Sequence, residues 1–184
     1  MRFTGVVYRA YQPKWAFSPL SGDGAKKVGG RFNEEGVPAL YTSLEMDTAI
    51  REFAQGMSPL QPFTMAAIEV DCDHICDLRD ETSRRAEGVD LRDLASAWAD
   101  ARDQLETAIA NGVSPLPTVP TWEVVRTMRA RGYAGILVPS FVDAPRHKGD
   151  NLVFWEWGGF PHKVTVIDDN NALPVDQSSW TAGV

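Results

Sequence analysis

Residues 29–52 contain three segments in close succession: Gly29-Gly30-Arg31-Phe32-Asn33, then Ala39-Leu40-Tyr41-Thr42-Ser43, then Ala49-Ile50-Arg51-Glu52. Each segment reads as a different kind of local structure. The paired glycines make a turn-prone loop around Arg31, and residues 38–43 read as a short apolar strand carrying Tyr41. From Met46 to Met57, apolar side chains at 46, 49, 50, 53, 54 and 57 fall on one helical face. Asp47 and Ser43 stand where N-terminal helix signals belong. At about 100° per residue Glu52 lies on the flank of that apolar face, next to Ala49, so it can look into a pocket beside the core or out to solvent. A cation, a phenol and a carboxylate are thus carried by a loop, a strand and a helix. That mixture suits a ligand with anionic and cationic parts, such as a dinucleotide bearing a pyrophosphate and a pyridinium ring.

Composition bounds the class. A chain of 184 residues with 43% hydrophobic and 23% charged residues reads as one domain, 1–184, with a single core. A formal net charge of −7 argues against a general nucleic-acid surface, which needs clustered Lys and Arg, and leaves room for a basic partner protein. Six tryptophans are more than a surface needs, so several are expected to line a core or a pocket. The two cysteines, Cys72 and Cys76, cannot make a disulfide framework. With His74 between them they lack the second cluster that a structural zinc requires, so they read as buried thiols on a strand and no metal is expected. The N-terminus has no long apolar stretch and no window approaches a membrane span, which predicts a cytoplasmic protein.

The rest of the chain reads as α+β. Residues 3–9 predict a strand leading to Arg9, and Pro13 to Gly30 reads as a long loop rich in Gly, Pro and Ser. Strands are predicted over Thr64–Val70, Ile75–Leu78, 134–138, Asn151–Trp157 and Lys163–Ile167. Val89–Asn111 predicts a surface helix or helix pair, and the prolines of 114–120 require a connector. Thr121 reads as the N-cap of a helix over Trp122–Arg131 that Gly132 stops. Strands outnumber helices without alternating with them, which favours a single domain with a mixed sheet and flanking helices over a doubly wound fold.

Arg31 beside two glycines can reach a pocket floor and make a bidentate contact to phosphate or carboxylate, or it can be a turn arginine on the surface. The segment Gly24-Ala25-Lys26-Lys27-Val28-Gly29-Gly30 lacks the Gly-Lys-Ser/Thr ending of a P-loop, which excludes that motif. Tyr41 can be a core residue or can stack on a flat, electron-poor ring. Glu52 can be an ordinary helix residue, or a carboxylate that orients a ribose hydroxyl and stabilises an oxocarbenium-like centre. No histidine is placed to activate Ser140, so a Ser-His-Asp hydrolase is poorly supported.

Taken together, the motifs resemble the RES family of bacterial toxins, named for an arginine, a glutamate and a serine in that order. The resemblance rests on Tyr8-Arg9-Ala10, Gly29-Gly30-Arg31-Phe32-Asn33, Ala39-Leu40-Tyr41-Thr42-Ser43, Glu52 and Val138-Pro139-Ser140, together with Gly132-Tyr133-Ala134-Gly135-Ile136-Leu137 and Asn151-Leu152-Val153-Phe154-Trp155. It covers about residues 6–168 and leaves 169–184 as a C-terminal tail.

The resemblance implies an ADP-ribosyltransferase-like toxin fold with NAD+ as substrate and no metal. Arg31 and Arg9 would hold the pyrophosphate or a ribose-side anion, Tyr41 would stack on the nicotinamide, and Glu52 would support the reacting ribose. Ser140 would hydrogen-bond the dinucleotide, and Asn151 would join the binding set. Cleavage of the nicotinamide–ribose bond would transfer ADP-ribose to a protein, for which phosphoribosyl pyrophosphate synthetase has a precedent in the family, or to phosphate or water. The residue two before Glu52 is Ile50 rather than a second acid, which departs from many ADP-ribosyltransferases and removes any inference that the acceptor is an arginine. The implied partner is a helix-turn-helix, Xre-like antitoxin that blocks the pocket. A non-catalytic nucleotide-binding or interaction module is the alternative of a different class.

Overall fold

The structure, a computed structural model, describes residues 1–55, 59–142 and 148–178. Met57, the last apolar position of the helical pattern around Glu52, lies outside the described residues, as do residues 179–184 of the polar tail. The described strands are β1 (Phe3–Tyr11), β2 (Leu40–Ser43), β3 (Thr64–Cys72), β4 (Ile75–Asp77), β5 (Gly135–Pro139), β6 (Asp150–Phe154) and β7 (Lys163–Val166). The described helices are α1 (Asp23–Val28), α2 (Met46–Ala54), α3 (Glu81–Glu87), α4 (Leu91–Leu94), α5 (Trp98–Ala110) and α6 (Pro120–Ala130).

All seven strands form one sheet in the order β4-β5-β6-β2-β1-β3-β7. β4 and β5 pair in parallel and the other neighbours pair antiparallel, so the sheet is mixed and the α+β reading holds. β5 and β6 are buried on both faces. Ile136, Val138 and Val153 enter one core with Val124, Val125 and Met128 of α6, whereas Leu137, Leu152 and Phe154 enter a second. Strands covered on both sides read as continuous apolar runs, as these do. The second core joins Val7, Ile68 and Val70 from β1 and β3 to Ile75, Leu137 and Leu152 from β4, β5 and β6.

Three local expectations change. The stretch from Pro13 to Gly30 is not all loop: Pro13–Trp15 forms a 3₁₀ turn and α1 follows, a helix of 6 residues too short to show periodicity. α2 is capped by Glu45 rather than Ser43, and Asp47 sits inside its first turn. The N-cap of α6 is Val119, because Pro120 with its fixed φ takes the first helical position. Thr121 therefore lies inside the helix, buried, its hydroxyl without a partner among the described residues. Gly132 stops the helix as read, with φ of 82°. The Val89–Asn111 region is a helix pair, α4 and α5. Cys72 and Cys76 are free and buried, and burial pushes both thiols up to about 11.

Candidate functional site

The glycine loop is built so that Arg31 is presented from a fixed frame. Gly30 N–H donates to the Asn33 carbonyl at 2.8 Å, closing the turn. A Cβ at Gly30 would stand 2.7 Å from the Tyr41 hydroxyl and 2.9 Å from Asn33 Oδ1, so only glycine fits. The fully buried Asn33 gives its Nδ2 to the carbonyls of Ala25 at 2.8 Å and Val37 at 2.9 Å, and its Oδ1 accepts from Tyr41 at 2.7 Å. The same Tyr41 oxygen accepts from Phe32 N–H at 2.9 Å. Burial holds the Tyr41 phenol well above its ordinary range, which keeps the proton that the bond to Asn33 uses. Trp122 and Trp155 then donate their indole N–H groups to the carbonyls of Gly30 at 2.9 Å and Phe32 at 2.8 Å.

Arg31 emerges from this frame. Its Nη1 donates to the carbonyls of Leu94 at 3.1 Å and Ser96 at 2.7 Å, and its guanidinium lies 5.2 Å from the centre of the Phe141 ring. Burial lowers its pKa, opposed by the charge of Glu52 and by Tyr41, and the guanidinium stays a cation. The other guanidinium N–H groups have no partner among the described residues and are available to a ligand.

Glu52 does look inward. One carboxylate oxygen accepts from Ser140 Oγ at 2.7 Å and Asn151 Nδ2 at 2.5 Å, and the other accepts from Gln55 Nε2 at 3.2 Å. Sheet register explains the convergence. Ser43 of β2 faces Asn151 of β6 and donates to its Oδ1 at 2.7 Å, while Asn151 faces Val138 of β5, two residues before Ser140. Neutral donors hold the carboxylate in place without neutralising it, leaving its charge for a cationic centre.

Two cavities meet at this carboxylate. The larger, about 560 Å³, is lined by Gly30, Arg31, Trp98 and Phe141 among others. The smaller, about 210 Å³, is lined by Tyr8, Arg9, Tyr11 and Phe53 among others. Tyr41, Glu52, Gln55 and Asn151 line both. Arg9 therefore does not share a cavity with Arg31. Its Nη1 donates to the carbonyls of Pro19 at 2.6 Å and Ser21 at 2.9 Å, tying the 13–22 segment to β1, and burial lowers its pKa. Ser140 is buried, with its hydroxyl on Glu52. Sequence reasoning assigned no role to Asn33, Gln55, Trp98 or Phe141. Of these, only Gln55, one helical turn beyond Glu52, carried a signal in its spacing.

A family model described as RES domain matches residues 6–176, extending the likeness past residue 168 into the tail. No curated protein matches the chain in sequence. Among solved structures, a chain of the M. tuberculosis MbcT-MbcA toxin-antitoxin complex superposes with a TM-score of 0.65 at 20% identity, over 91% of this chain and 84% of that one. That likeness is one of fold.

Proposed function

The chain belongs to the RES domain family, and from that premise we propose that it is a toxin that binds NAD+, cleaves the nicotinamide–ribose bond and transfers ADP-ribose to an intracellular protein. The observation that carries the reading is the placement of Glu52: a charged carboxylate held by Ser140, Asn151 and Gln55, within the field of Arg31, at the wall shared by two cavities. Loss of nicotinamide leaves positive charge on the ribose, and a preorganised carboxylate stabilises that charge most where water is scarce. Arg31 takes an anionic part of the dinucleotide with its unpartnered N–H groups. Tyr41 presents its ring beside Glu52 for the nicotinamide, and Asn151 keeps the carboxylate aimed. Ser140 positions Glu52, since its buried hydroxyl is already on that carboxylate. Arg9, in the smaller cavity, serves an anion on the far side of Glu52 from Arg31.

Transfer to water or phosphate uses the same bond cleavage and differs only in the acceptor. Ile50 occupies the place of a second acid on α2, so no carboxylate two residues before Glu52 selects an arginine acceptor. Phosphoribosyl pyrophosphate synthetase stands as the candidate protein acceptor. The neighbour of similar fold comes from a complex described as toxin-antitoxin, and by analogy this chain works in the cytoplasm under a helix-turn-helix antitoxin that covers the mouth beside Arg31 and the segment from Pro13 to Gly30. No helix among the described residues is long and apolar enough to cross a membrane.

Following the products of labelled NAD+ with and without cell extract tests the reading. Transfer to protein gives nicotinamide and labelled protein. Phosphorolysis or hydrolysis gives nicotinamide and a free ADP-ribosyl product. A binding module would be protected against thermal unfolding by NAD+ without consuming it.

A further inference from the structure

The large cavity contains an aromatic residue that packing does not account for. Trp98 lines it at the first position of α5, half-buried, and belongs to neither hydrophobic core. Arg102 sits 5.5 Å from the centre of its ring, and Asp103 at 2.9 Å and Glu106 at 3.4 Å hold that guanidinium in turn. The Ser96 carbonyl accepts from the Trp98 backbone N–H at 2.8 Å and from Arg31 Nη1 at 2.7 Å, so one peptide oxygen ties the Trp98 main chain to the cavity's cation. Phe141, under the Arg31 guanidinium, adds a second aromatic to the same region. The smaller cavity meets the larger at Tyr41, Glu52, Gln55 and Asn151 and touches none of Arg31, Trp98 and Phe141, which lie away from that junction.

An indole that shares a cavity with a cation and with Glu52, yet stands outside the junction where that carboxylate sits, suits a second planar group, joined to the reacting sugar through an anionic linker. We propose that Trp98 is the base-stacking residue of this site, that it binds the adenine half of NAD+, and that Arg31 sets its position through Ser96. This deepens the NAD+ reading above and rests on it. Stacking is insensitive to which base is presented, because every base has a π-face, so other purine dinucleotides with a nicotinamide end should bind at that subsite too.

The test measures competition by AMP and by nicotinamide mononucleotide against NAD+ turnover in the wild type, Trp98→Phe and Trp98→Ala, each checked by melting. Trp98→Ala should weaken AMP about tenfold or more, as the loss of one base stack does, while Trp98→Phe keeps most of the affinity. KM for NAD+ should rise by a similar factor, with the loss in KM rather than kcat, and inhibition by nicotinamide mononucleotide should not change. Equal weakening of both inhibitors, no weakening of AMP, or failure of AMP to compete in the wild type overturns the assignment. Those outcomes leave wild-type NAD+ turnover intact and sink this inference alone. A wild-type protein that releases no nicotinamide sinks the NAD+ reading together with it.

Discussion

Glu52→Gln is the most informative single change, because the site should absorb it structurally and fail chemically. The glutamine keeps an oxygen that can accept from Ser140 and Asn151, as Glu52 Oε1 does at 2.7 and 2.5 Å. Its amide nitrogen then faces Gln55, whose own side chain can turn its oxygen inward to accept. Packing volume is unchanged, and the expected stability loss stays below about 1 kcal/mol, the net value of one ordinary hydrogen bond. What disappears is the negative charge that the proposed mechanism sets beside the breaking bond. Removing one preorganised electrostatic group costs on the order of 10²–10³ in kcat, about 3–4 kcal/mol of barrier. Glu52→Ala provides the contrast, since it leaves the Ser140 and Asn151 donors unpaired and should cost about 1–3 kcal/mol of stability as well. The assay is nicotinamide release by purified protein, alongside a denaturant melt of each variant. A Gln variant that is folded and turns over at the wild-type rate would refute a charge-based role for Glu52.

Arg31→Lys should abolish growth inhibition on induction at equal expression, because a compact ammonium cannot reproduce the planar fork that reaches the carbonyls of Leu94 and Ser96 on one side and a ligand anion on the other. A lysine variant as toxic as the parent would count against that assignment. Tyr41→Phe removes the hydroxyl between Phe32 N–H and Asn33, and should lower stability by about 1–3 kcal/mol and raise KM, read by melting and steady-state kinetics. An unchanged melt would mean that water replaces the phenol oxygen. For the partner, saturating antitoxin should abolish both NAD+ binding and turnover, and undiminished turnover in the saturated complex would contradict pocket occlusion.

Elements with strong local patterns were legible from the sequence. The apolar runs of β5 and β6 fit strands covered on both faces, and the 3.6-residue spacing of α2 placed Glu52 at an inward flank. The short helices α1 and α3 were not legible. α1 has 6 residues and α3 has 7, too few turns for periodicity to emerge. The caps of α2 and α6 were misread because a side chain able to cap does not cap when proline or local backbone fixes the first turn elsewhere. Within the site, the motif order pointed to Arg31, Tyr41 and Glu52, and these three line one cavity. The separation of Arg9 from Arg31 and the pairing of Ser140 with Glu52 depend on how β1, β2, β5 and β6 lie side by side. The contacts of Arg31 reach carbonyls 63 and 65 residues away, in α4 and the turn after it. Such long-range geometry leaves no trace in local spacing, and the place of Trp98 in the cavity wall was hidden for the same reason.

Incubating the purified, folded protein with NAD+ alone and following free nicotinamide tests the central claim most directly. Steady release that depends on Glu52, in preparations whose melt matches between wild type and Glu52→Gln, is the predicted result. NAD+ that stabilises the protein and is recovered intact, with and without cell extract, would contradict the account.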